Sequence, residues 1–280
     1  VLTGDGGDEL FAGYEGYKND RYREPSAMTR KLLGAIYNVI LYAETVTQSR
    51  NSGVYHLLAR LGARVGSEGL RYSQQVAQSG LYPMMLVLDR GLFLDALKDW
   101  PTNLMARYYD ASASMGELGR KLYCEYKTRL VDEMLMKVDR MTMAHSLEAR
   151  VPLLDHHVVE YAFALPTALK LRSTANGSEG KYALKRVMET YLPREIVYRN
   201  KQGFNIPTRL WLQGAFLERV RERVAGGYLV KNGILDSAGV DKIFSNPGNP
   251  NVDYGGMLML LLAFETWVSV YSEKFGAITP

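Results

Sequence analysis

Seven residues near the start of the sequence combine glycines and acids in a pattern suited to nucleotide chemistry. Residues 3–9 read Thr-Gly-Asp-Gly-Gly-Asp-Glu. Glycines let the backbone approach a ligand closely and present N–H groups to an anion at a helix start. Asp5, Asp8 and Glu9 would repel a phosphate, so they make sense if a Mg²⁺ ion bridges acid and phosphate. The segment also fits a plain strand–turn–helix connection with Asp8 as the N-cap.

A basic loop late in the chain could supply the complementary positive charge. Arg194, Arg199 and Lys201 lie close together in the sequence, and we expect their side chains to approach one another. Gly203 and Pro207 follow them and indicate irregular backbone. Clustered cations on such a loop complement a polyphosphate. A solvated basic loop is the competing interpretation.

A third segment, residues 137–156, mixes charged residues with apolar ones. It reads KVDRMTMAHSLEARVPLLDH. Charges interleaved with core residues usually indicate buried ion pairs, which we expect for Glu148 and Arg150. The histidines in and just after this segment lack the spacing of a metal site, so we expect no zinc there.

Helices must position these segments, because helical patterns dominate the sequence. Apolar residues recur at helical spacing in residues 27–47, and residues 256–271 are apolar nearly all round, which predicts a buried helix. Asp155 is placed to be the N-cap of another helix. We expect a surface loop over residues 173–180 and a helix over residues 181–191. The first two residues indicate the end of a strand.

Composition narrows the class of protein. The chain has 280 residues, 47% hydrophobic and 23% charged, with a formal net charge of +4. No basic block suggests a nucleic-acid partner. Cys124 is the single cysteine, so a disulfide framework is excluded, a reducing cytosol fits, and the thiol is expected to pack on a helix. The longest apolar runs fall short of the ~20 residues that cross a bilayer, so no membrane is expected.

Taken together and in order, the three segments resemble the asparagine synthetase family. GDGGDELFAGY is similar to its glycine–acid loop, DRMTMAHSLEARVPLLDH to its central motif and RNKQGFNIP to its lysine loop. The resemblance implies the C-terminal part of an α/β synthetase domain with the ATP-pyrophosphatase, adenine nucleotide α-hydrolase-like fold. The expected fold class is therefore a predominantly α-helical fragment with only a remnant of the parallel sheet. Residues 1–280 would be incomplete at the N-terminus, without the pyrophosphate loop or the glutaminase domain.

The resemblance also implies an activity. It is that of an ATP-dependent carbon–nitrogen ligase, which amidates aspartate to asparagine through a β-aspartyl-AMP intermediate. ATP and Mg²⁺ would be required, and an N-terminal glutaminase domain would supply ammonia from glutamine. The implied location is the cytoplasm, a homodimer is left open, and the fragment alone is expected to be inactive.

Matching this sequence to the family motifs assigns a role to each site residue. Asp5 and Lys201 would be catalytic, Asp5 in forming the acyl-adenylate and Lys201 in holding the transferring phosphate. Asp8 would be the metal ligand. A further family acid falls on Met134, with Glu133 as its substitute. The positions expected to lie against the nucleotide are Thr3, Gly4, Gly6 and Glu9.

Three alternatives stay open. A related enzyme, similar to β-lactam synthetase, a lasso-peptide cyclase or a sugar amidotransferase, would use the same adenylation on another acceptor; Asp5 favours amidation by ammonia. A non-catalytic helical module is the second, and the presence of Asp5, Asp8 and Lys201 argues against it. The third is a tRNA-modifying member of the wider ATP-pyrophosphatase group. Such a protein would be expected to show paired cysteines or a basic surface, and the sequence indicates neither.

Overall fold

The computed structural model describes most of the chain, and the described part is mostly helical, as predicted. Its residues fall into two compact units, one drawn from residues 1–25, 67–73 and 102–202 and the other from residues 26–66, 74–101 and 203–280. The described residues are 1–17, 26–47, 57, 61, 67–76, 84, 86–93, 104–175, 177–199, 207–245 and 254–275.

Short helices alternate with a few long ones. Two 3₁₀ turns cover Glu15–Tyr17 and Pro152–Leu154, and a π-helical segment covers Leu130–Leu135. The α-helices are, in chain order, α1 (Gly7–Phe11), α2 (Ala27–Thr47), α3 (Glu68–Val76), α4 (Leu104–Ala111), α5 (Glu117–Lys127), α6 (Met136–Met143), α7 (His156–Ala164), α8 (Thr167–Lys170), α9 (Tyr182–Met188), α10 (Arg194–Val197), α11 (Thr208–Trp211), α12 (Gly214–Ala225), α13 (Tyr228–Lys231), α14 (Ser237–Ser245) and α15 (Tyr254–Phe275).

Extended structure in the first unit takes two forms. Strands β1 (Leu171–Thr174) and β2 (Gly177–Gly180) pair antiparallel, so the prediction of a surface loop over residues 173–180 was wrong. A φ of +129° at Gly177 lets the chain reverse there, and no other residue type reaches that angle readily. Leu2 and Arg150 form a parallel bridge, the one parallel pairing within the described ranges.

The first unit is built around α1. Leu10 and Phe11 of this helix pack with Ala162 of α7 in one cluster of buried apolar residues. Cys124 is buried in α5, where its thiol donates a hydrogen bond to the carbonyl of Met105 at 3.2 Å. Burial raises the pKa of this thiol to about 12, so it behaves as a small core residue. The prediction that Cys124 packs on a helix is confirmed.

Two local predictions at the central segment had different outcomes. Asp155 accepts a hydrogen bond from the backbone N–H of His157 at 2.9 Å, which confirms it as the N-cap of α7. Glu148 and Arg150 do pair, at 2.5 Å, but about two thirds or more of each side chain is exposed. The expected buried ion pair was therefore wrong, because the pair lies at the surface, where water competes for both charges.

The second unit is centred on α15, whose residues were predicted to be buried all round. One face does pack in the core, with Met257, Leu258 and Leu261 buried. The other face is exposed, so that prediction was wrong for half of the helix; its exposed apolar residues are Leu260, Phe264, Trp267, Val270 and Tyr271. Over Tyr254–Lys274 the helix is long and apolar enough to cross a membrane, by length and composition only.

A buried carboxylate ties α15 to its neighbour. Glu265 is fully buried and accepts hydrogen bonds from the backbone N–H groups of Tyr228 at 2.7 Å and Leu229 at 2.9 Å. The Ser269 hydroxyl donates a third, at 2.9 Å. These N–H groups open α13, where a helix has no backbone acceptors of its own. Glu265 thus joins α15 to the start of α13 through hydrogen bonds.

Candidate active site

The acid loop, residues 3–9, is a tight turn that leads directly into α1. The Thr3 hydroxyl donates a hydrogen bond to Asp5 Oδ2 at 2.7 Å, so these two side chains are held together. Gly6 precedes the helix with a φ of +84° and provides no side-chain cap. Asp8 lies inside the helix, which rules out its role as N-cap. Gly6 thus provides the backbone conformation of the turn, and the Asp8 side chain does not cap the helix.

The central segment, residues 137–156, packs against this loop and forms a backbone hydrogen bond with it. The N–H of Thr3 donates to the carbonyl of Arg150 at 2.9 Å. A Cβ added at Gly6 would lie 2.3 Å from Leu154 Cδ2, and one at Gly7 would lie 3.0 Å from Leu153 Cδ1. The structure therefore brings together the first and central segments, which the sequence separates by more than a hundred residues. Glycine is required at position 6 both by its backbone angle and by this close approach.

Asp8 is paired with a lysine that the sequence analysis did not single out. Lys181 Nζ lies 3.1 Å from Asp8 Oδ2, and both side chains are largely but not wholly buried. Lys181 precedes α9 with a φ of +58°, an uncommon conformation for a side chain with a Cβ. Its backbone N–H donates to the carbonyl of Phe11 at 2.7 Å, which ties it to the end of α1. The helix predicted over residues 181–191 therefore begins one residue later, and it also ends earlier, at Met188.

Close backbone contacts make room for the pair. A Cβ at Gly13 would lie 1.9 Å from Asp8 Oδ1 and 2.3 Å from Lys181 Cε. One at Gly180 would lie 2.0 Å from the carbonyl oxygen of Ala12. Ala12 itself ends α1 in the left-handed region, with a φ of +57°. The two chain segments around the ion pair are thus pressed together through glycines.

Glu9 points away from the loop into the protein. It is 3% exposed and accepts a hydrogen bond from the Tyr14 hydroxyl at 2.6 Å. Burial raises the pKa of its carboxyl, and the hydrogen bond opposes only part of that shift. Of the other acid-loop positions, Gly4 is exposed, Thr3, Asp5 and Asp8 are half-buried, and Gly6 and Gly7 are buried.

The remaining site candidates lie in different surroundings. Glu133 is in the π-helical segment, and its Oε2 lies 3.5 Å from Arg129 Nε. Arg194 lies in α10, where it stacks over the Tyr198 ring at 4.8 Å and faces Glu189 at 3.8 Å. Lys201 falls outside the described residues, so its expected approach to Arg194 stays a prediction.

Comparison with known proteins identifies the family of the chain. A family model described as asparagine synthase matches residues 1–269. Since this match covers nearly the whole chain and contains both segments that form the site, the chain belongs to the asparagine synthase family.

Individual relatives point the same way. The chain is 29% identical over 98% of its length to asparagine synthetase [glutamine-hydrolyzing] 1 of Bacillus subtilis, and it spans 41% of that protein. It is also 29% identical over 98% of its length to a putative asparagine synthetase of Mycobacterium tuberculosis, of which it spans 39%. Amidase chry2 of Gibberella zeae is 25% identical over 84% of the chain, with 36% of the amidase covered. No solved structure matches the chain. The chain thus spans about two fifths of these two synthetase relatives.

Proposed function

We propose that the full-length protein is an ATP-dependent ligase that amidates aspartate to asparagine. The observation that carries the proposal is the asparagine synthase family match over residues 1–269, which includes an acid loop with its carboxylates in place. The relatives named as glutamine-hydrolysing asparagine synthetases support the same reaction.

The reaction would proceed in two steps, adenylation of the carboxylate and then amidation. A β-carboxylate oxygen of aspartate attacks the α-phosphorus of ATP, and pyrophosphate leaves with its bonding electron pair. Ammonia then attacks the acyl carbon of β-aspartyl-AMP, AMP leaves, and a proton is released to give the amide. We propose that the ammonia comes from glutamine in a glutaminase domain, and that the synthetase domain has the ATP-pyrophosphatase fold.

The acid loop would form the centre of the adenylation step. Thr3 and Gly4 would lie against the nucleotide, and the hydrogen bond from Thr3 would hold Asp5 in place for formation of the intermediate. Lys181 would keep a positive charge beside the loop. A fixed cation near departing pyrophosphate stabilises the transition state more than the ground state. Lys201 would have the same task from the lysine loop.

Asp8 would hold a Mg²⁺ ion bound to the phosphates. Its carboxylate is partly exposed and already has a cation, the Lys181 ammonium, 3.1 Å from one oxygen. No trio of acids, histidines or cysteines suited to a metal occurs in the described part of the chain. One carboxylate with phosphate and water oxygens is a common way to bind Mg²⁺, so the site fits the ion in that form. The ion would neutralise phosphate charge.

The relatives named amidases make a different acceptor the second candidate. The test is pyrophosphate release by the full-length protein across a panel of carboxylic acids, with glutamine or ammonium as the nitrogen source. We expect release with aspartate, and asparagine as the product. Release only with another acid would favour that acceptor, and no release with any acid would contradict a ligase.

A further inference from the structure

Two buried carboxylates, one in α1 and one in α5, each accept a hydrogen bond from a tyrosine. Glu9 and Glu125 are both 3% exposed. Glu9 accepts its hydrogen bond from Tyr14, and Glu125 accepts one from the hydroxyl of Tyr72. Because a buried carboxylate is costly unless its charge is compensated, these hydrogen bonds must hold the side chains in defined positions.

Arg129 is the cation of this network. Its guanidinium lies 3.2 Å from Glu125 Oε2, and its central carbon lies 5.5 Å from the centroid of the Tyr14 ring. Tyr14 thus contacts the arginine through its ring and Glu9 through its hydroxyl. Tyr14 is therefore fixed by α5 and the residues that follow it, as well as by its own position in the chain.

Helix α1 needs such support. It has five residues, lacks a side-chain cap, and begins and ends beside left-handed residues. A helix this short is unstable by itself. Leu10 and Phe11 fix its depth in the core, but apolar packing is not directional. The hydrogen bond between Tyr14 and Glu9 is directional, so it restricts rotation of α1, which also carries Asp8.

We propose that Tyr14 is a positioning residue for the Asp8 carboxylate, acting through Glu9. The hydrogen bond of 2.6 Å holds the rotation of α1 so that Asp8 presents its oxygens to a bound cation. The inference rests on the proposed function in assigning a Mg²⁺–nucleotide complex to Asp8. Removal of Tyr14 should then weaken cation binding without any direct contact between the tyrosine and the ion.

The experiment uses Mn²⁺ as the probe, in the full-length protein with ATP, and follows its binding by electron paramagnetic resonance. Tyr14→Phe is compared with Tyr72→Phe, which removes the same kind of hydrogen bond from the other buried glutamate. We expect Tyr14→Phe to weaken Mn²⁺ binding about tenfold or more, as loss of an outer partner of a metal ligand typically does. Tyr72→Phe should lower the unfolding temperature but leave Mn²⁺ binding near that of wild type.

A double substitution separates positioning from a general loss of structure. In the Asp8→Asn background, Tyr14→Phe should cause no further weakening, because the residue it positions has gone. Equal weakening by Tyr14→Phe and Tyr72→Phe, no weakening by Tyr14→Phe, or full additivity with Asp8→Asn would each overturn the proposal. If Tyr14→Phe does not fold, Glu9→Asp is used in its place, since the shorter side chain breaks the same hydrogen bond. Unchanged Mn²⁺ binding by Glu9→Asp would also overturn the proposal.

The outcome can be told apart from failure of the proposed function. A wild-type protein that binds Mn²⁺–ATP but forms no asparagine would contradict the ligase reaction. The comparison between the two tyrosine variants would still be readable, because it measures binding and needs no turnover.

Discussion

Asp8 and Lys181 are separated by 172 residues in the chain, so the fold of the backbone must bring their opposite charges together. Lys181 reaches Asp8 from a left-handed backbone position, and its N–H is held by the carbonyl of Phe11. Gly13 leaves the space that the pair occupies. We propose that this ion pair orients the Asp8 carboxylate until Mg²⁺ replaces the ammonium.

Lys201 should stabilise the transferring phosphate from the lysine loop. Lys201→Met keeps the length and the apolar stem of the side chain and removes its charge. In the full-length protein we expect pyrophosphate release to fall by roughly a hundred- to a thousandfold, with the unfolding temperature and glutaminase activity nearly unchanged. Lys201→Arg should restore only part of the rate, because a planar fork does not reproduce a point charge. A Lys201→Met rate above about a tenth of wild type would make Lys201 a solvated loop charge.

The acid loop could be predicted from sequence because its information is local. Glycine spacing and adjacent acids predict a tight turn at a helix start, and the structure has one. Lys181 and Tyr14 could not be found in this way. One depends on a left-handed residue after a hairpin, and the other on a buried partner whose surroundings come from α5. Lys181 has no distinctive neighbouring pattern in the chain, and Tyr14 closes the GDGGDELFAGY motif without any sign in that pattern of what its hydroxyl binds.

At the level of helices and strands, the periodicity of apolar residues did not predict the hairpin or which face of α15 is buried. Residues 173–180 resemble a loop in composition, yet they form a hairpin because Gly177 permits the reversal. The apolar pattern of α15 predicts burial all round, whereas one face is exposed. Glu265, an apparent interruption of that pattern, is the most buried acid of the helix. The spacing of apolar residues predicts that the helices exist, but it does not predict which of their faces are buried in the core.

Glu265 should be the main polar support of α13. Glu265→Ala removes the acceptor for the buried N–H of Leu229 and the part-buried N–H of Tyr228. A buried N–H group costs about 1–3 kcal/mol when it is left unsatisfied. We therefore expect the free energy of unfolding to fall by roughly 2–5 kcal/mol in urea titrations. Glu273→Ala, an exposed glutamate on the same helix, is the control and should have little effect. Equal loss in both variants would show that helix propensity, and not the cap, is responsible.

For the whole molecule, the family relation is the strongest constraint. The chain belongs to the asparagine synthase family over residues 1–269 but spans only 41% and 39% of two synthetase relatives. The acid loop and its support by the central segment lie within one compact unit. The acid loop, Asp8 and Lys181 are therefore placed to act together, and we propose that aspartate adenylation takes place at this centre.

The most direct test is aspartate-dependent exchange of pyrophosphate into ATP by the full-length protein carrying Lys181→Met. Lys185→Met is the matched control: it lies one helical turn further on and pairs with Glu179 at 2.8 Å, outside the acid loop. We predict that exchange falls by about a hundredfold or more in Lys181→Met, while Lys185→Met stays near wild type and both variants unfold at similar temperatures. Exchange by folded Lys181→Met within about twofold of wild type would contradict the assignment of adenylation to this centre.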